Sequence, residues 1–172
     1  MLNPEYVEIS TVSQKYGDDD QCMVLHTTDE VKIFPYKEMI RFEAINEYAD
    51  GTPIMIAYCV LADLGAVYSR EYCDREITFA VSGYTYFEDD VWGGLDAFIL
   101  WDRDTESLWW PLIDKAISGP MQGSTLKKYD ENNWEILQWS EILTKHPNAK
   151  VLNSNQNHQV PDSWPQALDI DC

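Results

Sequence analysis

Several groups of side chains in this sequence could do chemistry. Cys59 lies in the apolar run Ile54 to Leu61. A thiolate there would be a nucleophile or a soft ligand, but it needs an activating base. No histidine lies near it in sequence, so a buried thiol packing as a small hydrophobe is the competing reading. Asp102, Arg103, Thr105 and Glu106 fall in one polar stretch before Ser107-Leu108-Trp109-Trp110. Turn chemistry explains them if Asp102 caps backbone N–H groups and Arg103 pairs with a carboxylate. A polar cluster at a pocket mouth is the alternative. A carboxylate pair there would suit glycoside hydrolysis, although sequence does not set the separation of roughly 5 or 9 Å that this needs.

Ser82-Gly83 ends an apolar alternating run, and glycine there permits positive φ or close backbone approach. No Gly-x-Ser-x-Gly elbow surrounds Ser82, which argues against a hydrolase serine. Glu88-Asp89-Asp90 with Asp96 could offer oxygens to Ca²⁺, but the spacing of a calcium-binding helix–loop–helix is absent and a solvated loop explains them. The histidines His26, His146 and His158 form no paired motif, and His146 before Pro147 reads as a helix-end cation. Trp92, Trp101, Trp109 and Trp110 crowd one region. If 107–110 is a strand, its side chains alternate, so one of Trp109 and Trp110 should point away from the core. An exposed Trp beside acids can stack on a sugar or hold a cation; packing between elements is the simpler use.

The elements that must position these residues read as mainly β (α+β), with antiparallel sheets built from hairpins and a few short helices. Turn residues recur every eight to twelve positions. Residues 22–26 and 31–34 read as strands joined by Thr27-Thr28-Asp29-Glu30, and Pro35 starts a short helix through Met39. Asp50-Gly51 predicts a type I′ hairpin between 43–48 and 54–61. The second of these strands is apolar on both faces and should be central. Residues 66–72 and 76–81 are expected to form another hairpin around Cys73-Asp74. Ala97 to Trp101 is a buried strand. Trp139, Ile142 and Leu143 share one helical face, and Pro147 stops that helix near Lys145. The expected organisation is one domain over 1–152 and a loosely packed tail over 153–172, with Trp164 as its anchor.

The chain has 172 residues with 30 acidic and 12 basic side chains, a net charge of −18. A phosphate backbone is neutralised by Lys and Arg, so this balance excludes nucleic acid as an expected partner. No apolar run approaches the ~20 residues of a membrane helix. The start, Met-Leu-Asn-Pro-Glu-Tyr, shows no signal peptide. A cytoplasmic location is therefore the default expectation, and export the expectation for a trimmed chain. The four cysteines (Cys22, Cys59, Cys73, Cys172) have neither zinc-finger nor Cys-x-x-Cys spacing. Free thiols are expected, with a Cys59–Cys73 bridge as the alternative if their strands are adjacent.

From Phe34 to Leu152 the order of motifs resembles a bacterial family catalogued as domain of unknown function 3179. The resemblance rests on Phe34-Pro35, Ile45-Asn46, Tyr58-Cys59-x-Leu61 and Thr78-Phe79-x-Val81-Ser82-Gly83. It continues through Asp102-Arg103-x-Thr105-Glu106-Ser107-Leu108-Trp109, Ala116-Ile117-x-Gly119-Pro120-x-x-Gly123-x-x-Leu126 and His146-Pro147. Relatives commonly have Tyr-Cys-Pro-Leu-Cys-Gly where this chain has Tyr58 to Asp63, so the second cysteine is Ala62. They commonly have Trp-His-Glu where this chain has Arg41-Phe42-Glu43, so the histidine is Phe42. A histidine with two cysteines would suit a soft metal or thiol chemistry, and only Cys59 of that trio remains. The segment 84–96 is also longer than usual.

The sequence therefore predicts a non-catalytic ligand-binding or protein-interaction module without a cofactor. Its ligand candidates are Cys59, Ser82, Gly83, Asp102, Arg103, Thr105, Ser107 and Trp109. Asp89, Asp90 and Asp96 are the weak metal candidates. The partner would be a small molecule, a saccharide or a protein. The alternative is an enzyme with a pocket around Cys59, Ser82, Asp102 and Arg103, whose metal- or thiol-dependent chemistry is largely degenerate.

Overall fold

A computed structural model of the chain describes residues 1–156. The chain opens with β1 (Tyr6–Glu8) and a single helical turn, α1 (Ile9–Val12). β2 (Gln21–His26) and β3 (Val31–Pro35) form the first hairpin, and α2 (Tyr36–Met39) follows directly, with Pro35 as its N-cap. β4 (Ala44–Ala49) and β5 (Thr52–Cys59) pair antiparallel with Ala49 opposite Thr52. Their two-residue turn puts Asp50 at φ 50° and Gly51 at φ 83°. A type I′ turn needs positive φ at both positions, which is why Asp-Gly marks it.

β6 (Leu64–Ser69) returns along β5. β7 (Glu71–Tyr72) and β8 (Arg75–Glu76) make only two pairs around Cys73-Asp74. The long hairpin expected over 66–72 and 76–81 is thus corrected: β6 belongs to β5, and β9 (Phe79–Tyr86) pairs with β10 (Ala97–Asp102). Arg70 explains the break. Its buried guanidinium donates to the carbonyls of Ile54, Ile77 and Glu47 at 2.8, 3.0 and 3.2 Å, so the chain turns around a cation instead of continuing the ladder. β11 (Leu108–Trp110) and β12 (Lys115–Ser118) complete that sheet, separated by a 3-10 turn at Pro111–Ile113. The chain then runs through β13 (Trp134–Gln138), α3 (Trp139–Lys145) and β14 (Lys150–Leu152). In α3, Gln138 and Glu141 form the reciprocal pair of N-terminal hydrogen bonds that starts a helix.

The fold is mainly β, built as stacked layers. The orders are β1-β14-β3-β2-β13, β4-β5-β6 and β12-β11-β10-β9. The pairings are antiparallel except β14 with β3. Side chains alternate across a strand, and β5 shows the result. Met55, Ala57 and Cys59 pack in one core with Phe98, Leu100 and Trp109. Ile54, Ile56 and Tyr58 pack in another with Met23, Leu25 and Phe34. The three-stranded sheet is therefore the middle layer, and β5 must be apolar on both faces. On the far side of the first sheet, Cys22 and Val24 meet Trp139 and Ile142 of α3. No helix among the described residues is long and apolar enough to cross a membrane.

β1, β12 and β13 were not expected from the sequence, and all three are edge strands. β1 and β13 are paired on one side only, and the outer side of β12 meets only the short return at 123–125, so their hydrophobic alternation is weak. Residues 153–156 run beside the N-terminal segment: the Asn153 N–H donates to Glu5 O at 2.8 Å, and the Gln156 amide to Asn3 O at 2.9 Å. The rest of the expected tail, with Trp164, lies outside the described residues.

Candidate functional site

β10 ends in Asp102, and the turn after it brings four of the candidate residues together. The Asp102 carboxylate accepts the Thr105 backbone N–H at 2.6 Å, the Thr105 hydroxyl at 2.7 Å and the Trp109 indole N–H at 2.7 Å. The Ser107 hydroxyl lies 2.7 Å from that of Thr105 and accepts the Met121 N–H at 3.0 Å. Asp102, Thr105, Ser107 and Trp109 are all buried. Gly119 closes over them: at φ 90°, a Cβ there would lie 2.6 Å from Ser107 Cα. Only glycine permits both that backbone and that approach. Beside this cluster, Asp104 accepts the Thr78 N–H at 2.6 Å, and burial raises its carboxyl above the usual aspartate range. These residues form a buried, mutually hydrogen-bonded network that fixes the β10–β11 turn. A buried carboxylate held by three donors in this way anchors the turn.

The solvent side of the same sheet is different. Val81, Ser82, Tyr84, Trp101, Glu106, Leu108 and Ser118 line an open groove of about 620 Å³. Ser82 donates to Ile99 O at 2.7 Å and accepts the Tyr84 N–H at 3.1 Å, so it shapes the groove floor. Gly83 takes φ 80° with nothing near its Cβ position, so positive φ accounts for it and close approach does not. Arg103 lies over the Trp101 ring at 5.8 Å. Tyr84 in the groove lining and Tyr86, Phe87 and Trp92 beyond it are exposed.

The expectation that Trp109 or Trp110 points outward is corrected. Both are fully buried. They do alternate, but each face of β11 is covered. Tyr72 and Phe79 lie 5.2 and 5.6 Å from Trp109, and Tyr86 lies edge-on to Trp110 at 4.9 Å. The exposure falls to Trp92, at 66%, and partly to Trp101.

Cys59 stands apart from this region. Its sulfur accepts the Phe98 N–H at 3.4 Å in the core. Phe98 is the second residue of β10 and Asp102 its last, so roughly 13 Å of strand separates the thiol from the carboxylate network. Cys22 and Cys59 are buried free thiols, and burial pushes Cys22 up to about 12. The Cys59–Cys73 bridge is thus not formed. Cys73 is disulfide-bonded and not free as expected, its position at the exposed tip of the β7–β8 hairpin leaving it within reach of other segments.

A family described as Protein of unknown function (DUF3179) matches residues 1–161. The chain belongs to this family. No curated protein and no solved structure matches the chain. Within this DUF3179 member, the positions of the relatives' histidine and second cysteine can now be located. Phe42 packs with Tyr36, Met39 and Tyr58 on one face of the middle sheet. Cys59 packs on the other. Glu43, at φ 54°, turns the backbone between Phe42 and β4. Ala62 sits in the β5–β6 turn. Ala62 packs against the same core as Cys59, and Phe42 belongs to the core across the middle sheet.

The acidic loop also disperses. The Tyr86 hydroxyl donates to Glu88 at 3.0 Å and the Thr85 hydroxyl to Asp96 at 3.1 Å, while Asp89 and Asp90 are exposed. Metal-capable side chains instead gather at His26, Glu135 and His146. Sequence reasoning missed this group because its members are 109 and 11 residues apart, and no local spacing signals them.

Proposed function

We propose that this DUF3179 protein is a non-catalytic protein-interaction module whose contact surface is the outer half of β9 with the groove beside it. The observation that carries this reading is the distribution of exposed apolar groups. Among the described residues, five of the eleven exposed large hydrophobics lie between 81 and 92: Val81, Tyr84, Tyr86, Phe87 and Trp92. A concentration of exposed apolar side chains in one short segment favours an interaction site.

The chemistry of the partner follows from charge. From Ile77 to Asp102 the chain has no Lys, Arg or His, and it has Glu88, Asp89, Asp90, Asp96 and Asp102. Exposed aromatic faces attract cations, and nearby carboxylates add Coulomb attraction. β9 is an edge strand with one paired neighbour. Near its start, the Asn46 amide donates to Phe79 O at 2.8 Å and accepts the Phe79 N–H at 2.9 Å. Past that point an extended segment could add to the edge by strand pairing. The best-fitting partner is an extended protein segment that alternates apolar and basic residues. Against a catalytic reading stands the Asp102 network, whose polar atoms are spent on one another.

The test is calorimetric titration with a short alternating lysine–valine peptide at about 50 and 300 mM salt, with a glutamate–valine peptide and neutral oligosaccharides as comparisons. The lysine peptide is expected to bind saturably and more weakly in high salt. Saturable binding of a neutral oligosaccharide without peptide binding would overturn the proposal.

A further inference from the structure

The first sheet carries a second cluster on the side of the molecule away from the groove. Glu135 on β13 pairs with Val24 of β2, and His26 lies two residues further along β2. Residues two apart on a strand share a face, so His26 and Glu135 are diagonal neighbours. Val24 belongs to the core under α3, so this is the face that α3 covers. The end of α3 then delivers His146. Its backbone N–H donates to Ile142 O at 2.8 Å and its carbonyl accepts the Ala149 N–H at 3.0 Å, with Pro147 restricting the residue before it.

The side chains converge. His26 Nε2 lies 3.0 Å from Glu135 Oε1. The His26 and His146 rings meet edge-on at 5.3 Å between centroids. One donor atom from each residue lies within 4.8 Å of the others. In addition, His146 Nε2 is buried and has no hydrogen-bond partner among the described residues. A depression of about 430 Å³ adjoins the cluster at His146 and leaves room for entry, with Asp29 and Glu30 set against Lys145 and Lys150 in its lining.

We propose that His26, Glu135 and His146 form a binding site for a divalent transition metal of the Zn²⁺ class. Two imidazoles and one carboxylate are a three-protein-ligand set for zinc, with a fourth position left for water or another group. Such a centre, with bonds of about 2.0–2.1 Å, holds its donor atoms roughly 3.3 Å apart. His26 and Glu135 lie close to that spacing, and the His146 donor, within 4.8 Å of both, has to move inward to complete it. Hard ions such as Mg²⁺ prefer an all-oxygen shell and are excluded by the imidazoles. Bound metal would tie β2, β13 and the end of α3 together, which stabilises the folded state by mass action.

The test uses the whole chain, stripped with chelator and titrated with Zn²⁺ against a chromophoric competitor. One equivalent should bind with a Kd of about 10 μM or tighter, and Zn²⁺ but not Mg²⁺ should raise the thermal midpoint. His26→Gln and His146→Gln, each checked for folding by far-UV circular dichroism, should weaken binding at least about tenfold. Co²⁺ should give visible absorption bands that both variants lose. The proposal is overturned if the wild-type chain takes up no Zn²⁺ at about 100 μM, or if both variants bind it as tightly as wild type.

Discussion

The Trp109 indole N–H donates to Asp102 Oδ2 at 2.7 Å, with both residues completely buried. The contact joins the end of β10 to the middle of β11 beneath the turn that separates them. Removing the carboxylate would orphan the indole N–H and the Thr105 N–H together and leave the Thr105 hydroxyl with Ser107 alone. Asp102→Ala should therefore cost about 3–5 kcal/mol in urea unfolding. Asp102→Asn keeps one acceptor and should cost about 1–3 kcal/mol. Unchanged stability in the alanine variant would show that the network is dispensable.

Gly119 closes over the same cluster. Gly119→Ala places a Cβ against Ser107 backbone at a φ that L residues rarely adopt. A loss of about 2 kcal/mol or more is expected. Gly51→Ala, at φ 83° with open space around it, has strain but no clash and should cost less. Chemical denaturation of the two variants side by side checks the order.

Asp104 supplies a pH signature. Burial, chiefly, raises its folded carboxyl pKa, partly opposed by the Thr78 N–H and reinforced by Asp102. A raised folded pKa means that this group stabilises the fold below its unfolded value near 3.8, and that this contribution is lost as pH rises through the folded value. Asp104→Asn keeps an acceptor for Thr78 and cannot ionise. Its thermal midpoint relative to wild type should become more favourable between pH 4 and pH 7. A relative midpoint that does not move with pH would contradict the assignment.

How much of this could be read in advance depends on whether the signal is local. Asp50-Gly51 demands one turn and one register, and α3 carries its own apolar face and its own stop at Pro147, so both were legible. β5 was legible because a strand apolar on both faces needs a layer on each side. Arg70 was not: its three carbonyl partners come from β4, β5 and the segment after β8. The Asp102 cluster was visible as a group, but its burial depends on Gly119 and Met121, which arrive from the far side of β12. His26 and His146 meet only because β13, a weakly patterned edge strand, pairs with β2.

Cys59 should behave as a packed thiol. It is 1% exposed, and its sulfur is engaged by Phe98 N–H. Modification by a thiol reagent in native conditions should be slow and should accelerate with denaturant in step with unfolding. Rapid labelling of the folded protein at Cys59 would instead indicate an accessible, activated thiolate.

The central claim is that exposed aromatic side chains, and not net charge alone, make the β9 surface a docking site. The double variant Tyr84→Ala/Trp92→Ala changes no charge and, because both residues are exposed, should leave stability within about 1 kcal/mol of wild type. Its affinity for the lysine–valine peptide, measured beside wild type in the same salt, should fall at least about tenfold, as expected when two anchoring aromatics are lost. Equal affinity of the two proteins would reduce the binding to bulk electrostatics and contradict the account.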